Sequence, residues 1–278
     1  MIVCKELNKE FTTDIEMFKA LRENKDMIIS EKKSQIYKSF EKGQGVKAKT
    51  IDPTKFIETS KGLMTDDNYW YFAVNSTKIL DSHNDLHKDG IWNKTSKDQE
   101  GKNYLVDTHV MSMNTTIANK ENIEILIATV PFSAIGKSYS GNTQLLIYKV
   151  KKTDIRIKDV SDWLNDGYDI EGSVRMQYVT IELAMNSKAK DDKVEFKAYN
   201  DNINDIANKS EFDNITHFWI VSEAKNVQES SLVLNGSNGA TGIIDNKNIQ
   251  PSNDTDKNEP LKNTQTESKA WSITDIIN

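Results

Sequence analysis

A serine becomes a nucleophile only with a base in hydrogen-bond reach, a group that orients the base, and donors for the oxyanion. Three segments of this chain carry residue types suited to that arrangement. In residues 167–183, GYDIEGSVRMQYVTIEL, Ser173 opens a strand directly after Gly172, at a strand end that a substrate can approach. Val174, Met176 and Tyr178 share one face of that strand and Val179, Ile181 and Leu183 the other, so a bulge is expected near Tyr178–Val179. In residues 103–114, NYLVDTHVMSMN, His109 follows the short apolar approach Tyr104-Leu105-Val106. In residues 217–234, HFWIVSEAKNVQESSLVL, the period of two puts Val227, Glu229, Ser231 and Val233 on one strand face. A carboxylate between two valines is partly buried and wants a cationic or N–H partner, which a histidine beside Ser173 would supply. Each segment also has a plain reading. Ser173 can be a serine at a turn-to-strand junction, His109 a surface or satisfied core residue, and Glu229 a solvent-facing side chain on an edge strand.

The other candidates are few. The chain has 4 histidines and a single cysteine, Cys4. Cys4 can form no intrachain disulfide, which suits a reducing compartment, and its place near the N-terminus, outside the expected core, argues against a catalytic thiol. His83 and His87 stand four apart, with Asp81, Asp85 and Asp89 interleaved, a spacing that on a helix could hold a divalent metal. Asn84, Asp85, Asp89 and Gly90 disfavour a helix there. A polar loop leading to Ile91-Trp92 is simpler, and no metal or other cofactor is expected.

These residues have to be positioned by an α+β framework. The 278 residues, 37% hydrophobic, suffice for one large domain or two small ones. Residues 1–42 read as helical: Thr13 and Glu16 have capping-box spacing, and Phe11, Ile15, Phe18 and Leu21 recur at helical intervals. A second helix is expected from Ser30 through Ile36, Tyr37 and Phe40, ended by Gly43 and Gly45. Strands are expected over 69–74, 123–130, 144–150, 173–184 and 217–234. A loop or short helix joins 131–142. A helix over 158–167 turns Val160, Trp163 and Leu164 inward, and a polar helical stretch lies near 202–210. After Leu234 the composition turns to Asn, Ser, Thr, Asp and Lys, so residues 236–278 read as a flexible tail. The apolar island at Trp271 either does nothing or binds a partner or the chain's own active site. The domain limits expected are a helical extension over 1–60, a main domain over 61–243 and the tail over 244–278.

Charge narrows the partners. A net charge of −6 with 28% charged residues is not that of a general nucleic-acid or acidic-membrane binder. No apolar run approaches the ~18–20 residues of a membrane helix, and the opening MIVCKELNKEF is too short and too charged for a signal peptide. The chain is expected to be cytoplasmic where it is made.

LVDTHV, EGSVRMQY and QESSLVLNGSN, in this order, resemble the HK97-type prohead proteases of tailed phages. Asp81 to Trp92, DSHNDLHKDGIW, looks like an earlier segment of that family, so the similarity spans about residues 70–243. The resemblance implies Ser173 as nucleophile, His109 as general base and Glu229 as third member. The herpesvirus assemblin proteases, which share the family's fold, use a second histidine, so His83, His87 and His217 stay as alternatives to Glu229. The fold implied is a mostly antiparallel β-barrel surrounded by helices. The activity implied is a serine endopeptidase that cleaves scaffold, capsid-protein extensions and itself. Its partners would be the major capsid protein and scaffold inside the procapsid, in the host cytoplasm, with homo-oligomerisation left open. The chain departs from the family at Arg175, where glycine is frequent, and at Val110, where Asp or Asn is common. A protease-fold scaffold or shell protein without activity is therefore the alternative.

Overall fold

The computed structural model describes residues 1–34 and 65–244. The expected helix through Ile36, Tyr37 and Phe40, its stop at Gly43 and Gly45, the tail from 245 on and the island at Trp271 lie outside the described residues.

The chain opens with a hairpin. Strand β1 (Ile2–Cys4) pairs antiparallel with β2 (Lys9–Phe11), and Asn8 takes a left-handed φ of 48° in the turn. The helical reading of residues 1–42 is corrected there: Ile2 and Val3 are β-branched and favour an extended chain. Helix α1 (Asp14–Glu23) then starts where the capping box placed it. Thr13 Oγ1 accepts from the Glu16 N–H at 3.3 Å, and Glu16 Oε2 accepts from the Thr12 N–H at 3.2 Å. Met17, Phe18 and Leu21 are buried, whereas Ile15, expected on the same face, is 80% exposed. Helix α2 (Lys25–Ser34) begins at Lys25, ahead of the expected start at Ser30.

In chain order there follow β3 (Tyr69–Ser76), β4 (Asp85–His87), α3 (Thr95–Asp98), β5 (Tyr104–Asp107), β6 (Thr116–Ala118), β7 (Ile123–Pro131) and β8 (Asn142–Lys151). Then come α4 (Lys158–Asn165), β9 (Glu171–Met185), α5 (Lys193–Asn202), β10 (His217–Val233) and β11 (Gly242–Ile243). One sheet has the order β11-β3-β8-β7, all antiparallel. The other is organised around the long strand β10. Its one edge is paired antiparallel with β9; its other edge is shared by β4 and β5, both parallel, and β6 extends β5. The fold is thus α+β. The closed barrel expected is not formed by the described strands, which make two open sheets and a hairpin.

The period of two explains the layering. Along β3, Phe72 and Val74 face the principal core while Tyr71 and Ala73 face a second cluster with Leu126, Ile147 and Phe132. Along β10, Trp219 and Val221 enter the principal core, and Phe218 and Ile220 pack beneath Tyr199 of α5. Cys4, Met17, Leu21 and Ile28 belong to the principal core too. Cys4 is therefore fully buried, which corrects its expected place outside the core. Lys32–Asp85 at 2.6 Å, Lys25–Glu195 at 2.7 Å and Arg22–Asp192 at 2.5 Å tie the two N-terminal helices to the rest.

Three further expectations change. The helix placed near 202–210 is α5, one segment earlier, followed by single 3₁₀ turns at Ile203–Asp205 and Lys209–Glu211. In α4 only Leu164 is buried, and Trp163 is 39% exposed. Residues 236–244 are part of the packed structure rather than of a tail. Ala240 and Ile244 are buried, and β11 pairs with β3. Asn238 compensates for the polar composition: its Nδ2 donates to Ser76 O at 2.8 Å and its Oδ1 accepts from Ser76 Oγ at 2.9 Å. No helix among the described residues is long and apolar enough to cross a membrane.

Candidate active site

Strand β10 brings the three candidate residues together because its two edges carry different neighbours. Ser231 lies opposite Ser173 of β9 on one side and opposite Val106 of β5 on the other. Ser173, Ser231 and Val106 thus form one row across three strands. Glu229 lies two residues before Ser231, on the same face by the strand period. His109 lies three residues after Val106, just past the end of β5.

Ser173 is the third residue of β9 rather than its first. The residue before it has to be glycine. A Cβ on Gly172 would stand 2.3 Å from Ala73 O and 2.8 Å from Val74 Cα, both backbone atoms of β3. The two sheets approach each other at this point, and the approach fixes where Ser173 presents its hydroxyl. Further along β9 the pairing register slips around Thr180 and Tyr178, so Val179 is the extra residue where the change of face was expected.

His109 reaches the row by a tight turn. Thr108 and His109 both take left-handed φ values, 48° and 59°, which are uncommon without glycine. Three N–H groups hold the turn. Thr108 donates to Leu232 O at 3.1 Å, His109 to Ser231 Oγ at 2.8 Å, and Val110 to Asp107 O at 3.0 Å. Ser231 Oγ in turn donates to Val106 O at 3.0 Å. The buried Ser231 hydroxyl is therefore a positioning group for His109 that sequence reading missed; its only signal was a second serine on the strand face that carries Glu229.

Glu229 gets its direction from a bulge. Asn226 pairs with Met176 and Ser230 with Val174, so Val227, Gln228 and Glu229 together oppose Arg175. Gln228 takes a φ of 67° to make room. Beneath the bulge, Asn226 Nδ2 donates to Ser230 Oγ at 3.2 Å, and the Asn226 N–H donates to Thr95 Oγ1 at 3.3 Å.

The outcome is a hydrogen-bonded line. His109 Nε2 is 2.8 Å from Ser173 Oγ, and His109 Nδ1 is 2.9 Å from Glu229 Oε1. A carboxylate accepts only, so Nδ1 carries the proton and Nε2 presents its lone pair to the Ser173 O–H. Glu229 is fully buried, and its other oxygen has no hydrogen-bond partner among the described residues. The imidazole is 37% exposed, so the line runs from solvent at Ser173 to the interior at Glu229. Such an order lets the serine meet a substrate while the carboxylate keeps one fixed partner.

The line opens on a cleft of about 1040 Å³. Val110, Met111, Val174 and Met176 give its lining an apolar character, Arg175 adds a guanidinium, and Glu6, Ile28 and Lys32 of the N-terminal segment line it as well.

The alternative histidines lie elsewhere. Glu229 holds the Nδ1 side of His109, while His87 is buried against Asn75 and Tyr178 and His217 lies near Glu6. His83 lines the cleft, where its backbone N–H donates to Asp81 Oδ1 at 2.8 Å. His87 sits in strand β4, not on a helix, and the segment from Asp81 to Asp89 gathers no convergent set of three metal donors among the described residues. No family model, curated protein or solved structure matches the chain.

Proposed function

We propose that the chain is a serine endopeptidase of the HK97-type prohead kind, with Ser173 as nucleophile, His109 as general base and acid, and Glu229 as the group that orients His109. The observation that carries this reading is the Ser173–His109–Glu229 line, with 2.8 and 2.9 Å between successive heavy atoms. In the reaction, Ser173 Oγ attacks the scissile carbonyl carbon as its proton passes to His109 Nε2. Glu229 stabilises the imidazolium that forms. Collapse of the tetrahedral intermediate breaks the C–N bond, and His109 gives its proton to the leaving amine. Water, deprotonated by the same nitrogen, then releases the acyl group. Backbone N–H groups of the loops near the cleft bind the developing oxyanion, and Arg175, which lines the cleft, helps to order them.

The wider reading rests on the resemblance of the three motifs and their order: an assemblin-like fold, with capsid-protein extensions and scaffold as substrates inside a procapsid. An exposed cleft flanked by strand β9 suits an extended peptide. A fluorophosphonate probe tests the chemistry. Labelling of the wild type that disappears in Ser173→Ala and in His109→Ala is expected. A folded wild type that takes no label would favour the inactive scaffold. Incubation with the capsid precursor tests the substrate: cleavage by the wild type and not by Ser173→Ala is expected, and equal cleavage by both would remove the assignment.

A further inference from the structure

Three side chains of different donor chemistry converge where the N-terminal hairpin meets the start of β10. One ligating atom each from Cys4, Glu6 and His217 lie within 4.8 Å of one another. Cys4 Sγ is 3.5 Å from Glu6 Oε2, and His217 Nε2 is 3.4 Å from the same oxygen. The second distance is long for a charge-assisted N–H···O bond, which runs ~2.7–2.9 Å. Both match the edges of a tetrahedron around zinc. With Zn–S at ~2.3 Å and Zn–N and Zn–O at ~2.0 Å, the sulfur and oxygen ligands stand ~3.5 Å apart and the nitrogen and oxygen ligands ~3.3 Å apart.

The surrounding partners orient two of the three groups. Trp219 Nε1 donates to Glu6 Oε1 at 3.0 Å and Asn84 Nδ2 donates to it at 3.4 Å, which leaves Oε2 as the oxygen turned toward Cys4 and His217. Thr216 Oγ1 lies 3.2 Å from His217 Nδ1 and can accept its proton's hydrogen bond, so that Nε2 offers a lone pair. Cys4 is fully buried and His217 is 7% exposed, so neither is a surface group that meets ions by chance.

We propose that Cys4, Glu6 and His217 bind a single zinc ion, with water from the adjoining cleft as fourth ligand, and that the ion fastens the hairpin to β10. On binding, the Cys4 S–H bond breaks, an S–Zn bond forms and the proton leaves to solvent. The site is separate from Ser173 and stands or falls independently of the proteolytic reading.

The test is a titration of the metal-free, untagged full chain with Co²⁺. A single equivalent should produce a sulfur-to-cobalt charge-transfer band in the near ultraviolet and tetrahedral ligand-field bands in the visible, all displaced by Zn²⁺. Cys4→Ser should lose the sulfur band. Thr216→Ala, which removes only the partner of His217 Nδ1, should weaken binding about 10–100-fold with unchanged circular dichroism. Fluorophosphonate labelling of Ser173 in the same samples reports on the active site separately. The proposal is overturned by a folded wild type that shows no sulfur band at millimolar Co²⁺, or by Zn²⁺ affinity that is the same in the wild type and in His217→Ala.

Discussion

Strand β10 and the strands paired with it hold two lines of polar groups, one along each half of β10, and both consist of a histidine, a hydroxyl and a carboxylate. Near its end the order is Ser173, His109, Glu229, with the histidine in the middle. Near its start, Asp85, Tyr178 and His87 are linked with the hydroxyl in the middle. There Asn75 Oδ1 accepts from Trp92 Nε1 at 2.9 Å, so Asn75 Nδ2 donates to His87 Nδ1 at 3.1 Å. His87 Nε2–H then points to Tyr178 OH at 3.5 Å, and Tyr178 OH donates to Asp85 Oδ2 at 2.7 Å. Lys32 Nζ closes the line on Asp85 Oδ1 at 2.6 Å. His87 is 1% exposed, and burial holds its imidazole down at about 4, so it stays neutral. Burial and the two nearby carboxylates push the Tyr178 phenol well up. The same three functional groups thus give the line proposed as reactive when the histidine is central and the hydroxyl is open to solvent. They give a brace when the phenol is central and every end is sealed by a partner, even though Tyr178, Asp85 and Lys32 border the same cleft.

The largest way to break the contrast is at Ser173. Ser173→Ala and His109→Ala should each lower kcat by about 10⁶-fold, because the members of such a line act as a unit. The thermal midpoint of Ser173→Ala should change little, since Ser173 is partly open to solvent, whereas His109→Ala strands the buried Glu229 carboxylate and should lower it. A melting curve alongside a single-turnover assay checks both halves of the statement. Next in size, Glu229→Gln should cost about 10⁴-fold in kcat. A glutamine can offer an N–H to Nδ1, which leaves the proton on Nε2 and removes the acceptor that Ser173 needs. Activity within tenfold of the wild type would show that Glu229 does not set the tautomer.

How far the two lines can be read from sequence differs for a physical reason. Glu229 is legible because a carboxylate flanked by valines on a strand needs a partner, and Ser173 because it follows a glycine near a strand start. The spatial meeting of the three is not legible, since it depends on non-local register. Ser231 has to stand opposite both Ser173 and Val106, and the bulge at Gln228 requires a left-handed residue with no glycine to mark it. The sealed line was invisible for the same reason. His87, Tyr178 and Asn75 come from three strands, and only pairing and sheet packing bring them together. The N-terminal hairpin was misread because strands of three residues are too short to show a period. Burial of Cys4 follows from that hairpin, not from its place near the chain end.

Tyr178→Phe sharpens the contrast from the other side. Removing the hydroxyl leaves the His87 N–H and a buried Asp85 oxygen without a protein partner, at about 1–3 kcal/mol of stability. Denaturant unfolding should show that loss, while activity per folded molecule falls far less than in Ser173→Ala. A variant as stable as the wild type would mean that the brace contributes nothing.

The smallest expected effect on activity concerns Asp81, which borders the sealed line. Burial first, and the neighbouring Asp85 carboxylate second, raise its carboxyl from 3.8 to about 7. Between those values the folded protein holds a proton that the unfolded chain has released. Stability from this group therefore declines as pH rises through the window, and the full penalty is present above it. Asp81 Oδ1 accepts from the N–H groups of His83 at 2.8 Å and Asp85 at 2.9 Å, and an asparagine oxygen can accept both. Asp81→Asn removes the titration and keeps the turn. Its thermal midpoint should exceed that of the wild type by a gap that opens between pH about 4 and about 7 and stays constant above that window. The loss from His87 on acidification runs the opposite way, but it is common to both proteins and cancels in the difference. A gap independent of pH would mean that Lys32 and the two N–H groups hold Asp81 as an anion.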